Sequence, residues 1–134
     1  MKTIILLNLP AQTDNKFNYI TPNQLSSIEN NSCTELHITC IDYIAESLPF
    51  LGECLNKVRK NGMVTIVGFD IVEIAKGIVT GRFTIDDINA LLYKGKQSID
   101  NVGRIKMFLI SQRFAIEDIR LNNIAYHIKA VKND

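Results

Sequence analysis

Leu55–Asp70 reads LNKVRKNGMVTIVGFD, and the way this stretch divides decides the fold. Leu48, Leu51, Leu55 and Val58 fall at i, i+3, i+7 and i+10, the apolar face of one helix. Pro49 suits its first turn, where a missing N–H costs nothing. Asn61-Gly62 then ends the period, and Gly62 is the expected left-handed helix cap. Met63 to Phe69, MVTIVGF, follows as an unbroken apolar run, the pattern of a strand covered on both faces. A helix that passes directly into a buried strand is the unit of an α/β sheet.

The flanking sequence carries the same signature. Thr3 to Leu9 (TIILLNL) is an apolar run ended by Pro10, and Glu35 to Ile41 (ELHITCI) is a further strand candidate. The N-terminal run reads as a buried strand rather than a signal peptide, because it is brief and no small-residue cleavage site follows. Residues 11–31 are polar and read as loop, with one short strand or turn around Gln24 to Ile28. Ile71, Ile74, Ala75, Ile78 and Val79 form a helical stripe closed by Gly81, with Asp70 as the expected cap. Thr84 and Asp87 resemble a capping box opening the next helix, and Ser98 is the expected cap of one carrying Val102, Ile105, Phe108 and Leu109. Two extended segments around Asn122-Asn123 then form a hairpin. The expected fold is a single α/β domain over residues 1–134, a mostly parallel sheet with a C-terminal antiparallel hairpin.

Composition narrows the function classes. A formal net charge of +1 over 134 residues argues against a nucleic-acid partner. No apolar stretch approaches the ~20 residues that span a bilayer, so no membrane partner is expected. Three cysteines without CxxC spacing indicate neither a disulfide framework nor a zinc site, and the default location is the cytoplasm. Isoleucine and asparagine are abundant, alanine is scarce and tryptophan absent, the bias of an AT-rich genome such as a phage, a virus or a low-GC bacterium.

From about Glu29 to Lys132 the chain resembles the C-terminal half of a class I S-adenosylmethionine-dependent methyltransferase. ENNSCTELHITCIDYIAE looks like the family's acidic turn and strand. LNKVRKNGMVTIVGFD is similar to its helix–Gly–strand element, with Lys60-Asn61-Gly62 where Lys-Pro-Gly-Gly usually stands. INALLYKGKQS resembles a lid-like segment of small, often phage-encoded, members. KMFLISQRFAIEDIRLNNIAYHIKAVK looks like the closing helix and hairpin, with Arg113-Phe114 replacing Gly-Phe. The resemblance implies a Rossmann-like methyltransferase sheet, here in reduced form.

It also implies a cofactor site that the residues do not supply. In this family the cofactor rests on a glycine-rich loop after the first strand, where the backbone must approach the ligand closely. Here Pro10-Ala11-Gln12-Thr13 follows the first strand, and the first glycine of the chain is Gly52. The acid that grips the ribose at the end of the second strand has no clear counterpart, Asp14 lying too soon after the first strand. A βαβ unit takes ~30 residues, and Pro10 to Glu35 is 26. At most one short crossover fits. No S-adenosylmethionine is therefore expected to bind, and no catalytic residues or metal ligands are assigned.

The residual cofactor-contact candidates are Cys40, Asp42, Tyr43 and Asp70, all following strand candidates. Each also has a plainer reading: Cys40 as a small buried hydrophobe, Asp42 and Asp70 as helix caps. His37 and His127 are isolated, and Tyr93-Lys94-Gly95-Lys96 is either a phosphate or carboxylate contact or a solvated loop. The leading expectation is a degenerate, non-catalytic methyltransferase-like domain that self-associates or docks on a protein partner, covering an exposed sheet edge, as in a phage or viral assembly. The alternatives are a minimal methyltransferase, with S-adenosylmethionine held after Leu9 and around Cys40 to Tyr43, and a fragment that completes its sheet with another polypeptide.

Overall fold

The structure, a computed structural model, describes residues 2–6, 16–93 and 95–133. Six strands form one sheet: β1 (Lys2–Ile5), β2 (Asn18–Ile20), β3 (Cys33–Ile38), β4 (Val58–Phe69), β5 (Phe114–Asn122) and β6 (Ala125–Lys132). Their order is β2-β1-β3-β4-β6-β5, parallel through β4, with β6 and β5 antiparallel. The helices are α1 (Ser47–Lys57), α2 (Ile71–Val79), α3 (Ile85–Tyr93) and α4 (Val102–Ser111). This is the mixed, mostly parallel α/β sheet that the sequence predicts.

One transverse row explains the core. Ile5 pairs with Ile38, Ile38 with Ile66, Ile66 with Ile128 and Ile128 with Ile119, so five isoleucines cross five strands side by side. The first four are 0–1% exposed. β-branched side chains suit this pleated surface, and each buried isoleucine contributes roughly 1.5–3 kcal/mol. Leu51, Cys54 and Leu55 of α1, and Ile105 and Leu109 of α4, belong to the same core. The opposite face is mixed. Ile4, His37, Thr65, Lys129 and Asp118 form the adjacent row there. Met63, Val67 and Phe69 are only half-buried, so the expectation of a strand fully covered on both faces fails for β4.

Several boundaries move for reasons that lie in tertiary contacts. The helix stops at Lys57, and β4 begins at once with Val58. Its C-terminal carbonyls are met from elsewhere: Asn31 N donates to Asn56 O, Ser32 N to Lys57 O, and Lys132 Nζ to Val58 O at 2.9 Å. Gly62 is therefore not the helix cap. Asn61 takes the left-handed conformation (φ +63), and Gly62 is required because a Cβ there would lie 2.9 Å from the Cys33 carbonyl oxygen. The second strand is Asn18–Ile20, whereas Gln24 to Ile28 falls in a short 3-10 helix, Pro22–Ser27, and its cap. Asn101 caps α4 by accepting from Arg104 N at 2.8 Å, while Ser98 instead donates to Ile44 O at 2.6 Å. The two-residue hairpin loop is Asn123-Ile124, with Asn123 at φ +62, one residue later than expected. Leu9, the Pro10–Thr13 loop and Asp14 lie outside the described residues.

Candidate functional site

In an open parallel sheet, ligands bind beyond the carboxyl ends of the strands. At that end β3 runs through Cys40 into a short 3-10 turn, Ile41–Tyr43, and β4 runs into Asp70. The structure thus brings the four sequence candidates to the carboxyl ends of two adjacent strands, and it gives three of them defined structural contacts.

Asp70 is 2% exposed and fully engaged. Its Oδ1 accepts from Val72 N (2.9 Å) and Glu73 N (3.1 Å), capping α2 as its position predicts. Its Oδ2 accepts from Val102 N at 2.7 Å, at the first residue of α4. One carboxylate therefore serves two helix N-termini, where negative charge is favoured by both dipoles. Asp100 extends the junction by accepting from Ile71 N through its carbonyl and from Asn101 N through Oδ1.

Asp42 is not a helix cap. Its Oδ2 accepts from Phe69 N at 2.9 Å, which fastens the end of β3 to the end of β4. Its carbonyl accepts from Gln97 N and Ser98 N, so the segment between α3 and α4 straps across it. Burial pushes the Asp42 carboxyl up to about 6. The Phe69 amide and Lys96 pull it down, while Asp100 pushes it up. Lys96 lies 4.7 Å from the Phe69 ring centre and 5.8 Å from that of Tyr43, placing a cation over two aromatic faces. Lys94 lies outside the described residues, and Tyr93 is exposed.

Cys40 is 1% exposed, and burial raises its thiol to about 11. It is a protonated core side chain at neutral pH, and Cys33 and Cys54 are likewise free and buried. Sequence reasoning missed Tyr126. It is fully buried, its hydroxyl has no partner among the described residues, and burial together with Asp42, Asp100 and Asp70 pushes the phenol above its ordinary range. A Cβ on Gly68 would lie 2.7 Å from that hydroxyl oxygen, which is why glycine interrupts the apolar run of β4. The only sequence signal was Gly68 itself. His37 sits 3.4 Å from Glu35 and edge-on to Phe17, while His127 is half-buried and its Nδ1 has no partner among the described residues.

No family model and no curated protein sequence matches the chain. Solved structures do. An S-adenosylmethionine-dependent methyltransferase from Mesorhizobium loti superposes with a TM-score of 0.66 at 15% identity, covering 91% of this chain and 73% of its own. One from Methanosarcina mazei gives 0.61 at 14% identity, covering 97% and 81%. An O-methyltransferase family protein from Burkholderia thailandensis gives 0.64 at 9% identity, covering 88% of this chain and 36% of its own. The chain thus spans little more than a third of that last protein. The fold is class I S-adenosylmethionine-dependent methyltransferase-like. No helix among the described residues is long and apolar enough to cross a membrane.

Proposed function

We propose that the chain is a non-catalytic methyltransferase-like domain that acts as a structural or binding component of an oligomer or a larger assembly. Its AT-rich compositional bias suits a phage or viral accessory protein in the host cytoplasm or virion. The observation that carries the reading is the occupation of the carboxylates. Asp70 spends both oxygens on three backbone amides, and Asp42 holds the Phe69 amide. Asp70 has neither oxygen left to grip a ribose, and Asp42 has one committed to the end of β4. The second strand ends at Ile20 and is followed by Thr21, whose backbone N–H is held by the Gln24 side chain at 2.9 Å in a capping box. No acid stands there. Among the described residues no glycine-rich loop follows a strand, and the first glycine of the chain is Gly52, which argues against an S-adenosylmethionine site.

The measurement that tests this is isothermal titration with S-adenosylmethionine, paired with a labelled-methyl transfer assay on candidate acceptors. No heat at millimolar cofactor is expected. Saturable binding in the micromolar range would overturn the proposal in favour of a minimal methyltransferase, the reading that the likeness to cofactor-dependent enzymes supports. Contacts from Cys40, Asp42, Tyr43 and Asp70 would then be sought by substitution.

A further inference from the structure

Lys96 turns inward between two fixed points of the chain. Before it, Gly95 bends the backbone at φ +80 beside the Tyr43 ring. After it, Gln97 N and Ser98 N donate to the Asp42 carbonyl at 2.8 and 3.1 Å, and Ser98 Oγ donates to Ile44 O at 2.6 Å. The Lys96 side chain is thereby laid over the carboxyl ends of β3 and β4, where it is half-buried. Its ammonium stands over the rings of Phe69 and Tyr43, 4.7 and 5.8 Å from their centres, both inside the roughly 6 Å range of a cation–π contact. Asp42 belongs to the same corner, because its Oδ2 holds the Phe69 amide. Burial raises its carboxyl, and the Phe69 amide and the Lys96 charge oppose that rise.

Two aromatic faces and a carboxylate recognise an organic ammonium ion, and here one ammonium already lies among them. The tether is light. No residue of α3 is buried, and Tyr93 and Gly95 are exposed. Rotation about the Lys96 side-chain bonds is enough to vacate the corner while Gln97 and Ser98 keep their hydrogen bonds. A lysine ammonium is strongly hydrated in water, which compensates its departure. The present occupant is a primary ammonium on an alkyl stem, and this defines the ligand class. We propose that Tyr43, Phe69 and Asp42 form a binding site for a primary alkylammonium, and that Lys96 fills it as a tethered ligand that a free amine displaces. The inference goes beyond the proposed function and does not depend on whether a cofactor binds.

Nuclear magnetic resonance of the full chain tests it, with n-butylammonium chloride as the probe at constant ionic strength and n-butanol as its neutral counterpart. In the wild-type protein the ε-methylene protons of Lys96 should be shifted upfield by the two rings. Excess n-butylammonium should return them to the ordinary lysine position while the Gln97 and Ser98 amides stay in place. Lys96→Ala empties the corner and should bind n-butylammonium with a Kd on the order of 1 mM, several-fold tighter than wild type, where Lys96 competes at high effective concentration. Lys96→Met fills the corner with an uncharged chain and should bind no tighter than wild type. Tyr43→Leu, made in the Lys96→Ala background, removes one ring face and should weaken binding several-fold. Unshifted Lys96 protons in the wild type overturn the proposal without recourse to any variant. So does a Lys96→Ala protein that binds no tighter than wild type, that takes n-butanol equally well, or that is indifferent to Tyr43→Leu.

Discussion

Asp70 and Val102 are separated by 32 positions in the chain, and the Val102 amide donates to Asp70 Oδ2 at 2.7 Å. The same carboxylate caps α2 through its other oxygen, so a single buried charge fixes the start of two helices at the end of β4. Asp70→Ala should cost about 2–4 kcal/mol, the sum of a lost cap and an orphaned amide at a buried site. Asp70→Asn keeps one acceptor and should cost less. Urea denaturation followed by circular dichroism reads both, and a loss below about 0.5 kcal/mol for the alanine variant would contradict the double role.

Gly68→Ala should destabilise by about 1–3 kcal/mol, because the new methyl meets the Tyr126 hydroxyl and the Ile41 side chain at under 3 Å. Tyr126→Phe removes a buried hydroxyl that has no partner and should be neutral or stabilising by up to about 1 kcal/mol. In the Tyr126→Phe background the Gly68→Ala penalty should shrink. Thermal melting of the four proteins completes the cycle, and strict additivity would show that the two positions do not meet.

Stability should depend on pH through Asp42. Its folded carboxyl titrates near 6, above the ordinary aspartate value of 3.8, so the native state holds the proton more tightly than the unfolded chain does. The Asp42 contribution therefore favours folding at low pH and is lost as pH rises from about 4 through about 6. Asp42→Asn retains an acceptor for the Phe69 amide and carries no charge. Compared with wild type it should gain roughly 1–3 kcal/mol between pH 4 and pH 7.5. Chemical denaturation of both proteins across that range is the check, and parallel pH profiles would exclude this role for Asp42.

Left-handed positions give a fourth, opposed pair of outcomes. Arg113 follows α4 at φ +67 and is exposed, so Arg113→Gly should stabilise by about 0.5–1 kcal/mol. Gly62 has no positive φ, yet Gly62→Ala should destabilise by about 2 kcal/mol or more, because backbone oxygens of Arg59 and Cys33 stand within 3 Å of the added carbon. Differential scanning calorimetry separates the two signs.

Much of this architecture was legible in short-range patterns. Thr84 and Asp87 do form the reciprocal box, with Thr84 N on Asp87 Oδ2 at 2.9 Å and Asp87 N on Thr84 Oγ1 at 3.1 Å. Asp70 caps α2, and β6 alternates Tyr126, Ile128 and Ala130 inward. The candidate site was legible only as positions, Cys40, Asp42, Tyr43 and Asp70. That Asp42 would reach the Phe69 amide, and that Lys96 would lie over two rings, could not be read from spacing, because those partners lie 27 and more residues away.

Local patterns in the sequence located most of the strands and helices and two of the caps, Asp70 and the Thr84–Asp87 box, because periodicity and capping depend on neighbours within a turn or two. Only the tertiary structure decided which faces those elements bury. The stripe of α2 has the pattern of a core helix, but only Ile74 and Gly77 are buried, while Ile71, Val72, Ile78 and Val79 are exposed. Gly62 has the sequence position of a helix cap, but α1 receives its cap from Lys132, whose ammonium donates to Val58 O across 74 positions of chain. Periodicity states that a side chain is apolar. Which surface it meets is set by contacts between segments far apart in the chain, and no local pattern encodes them.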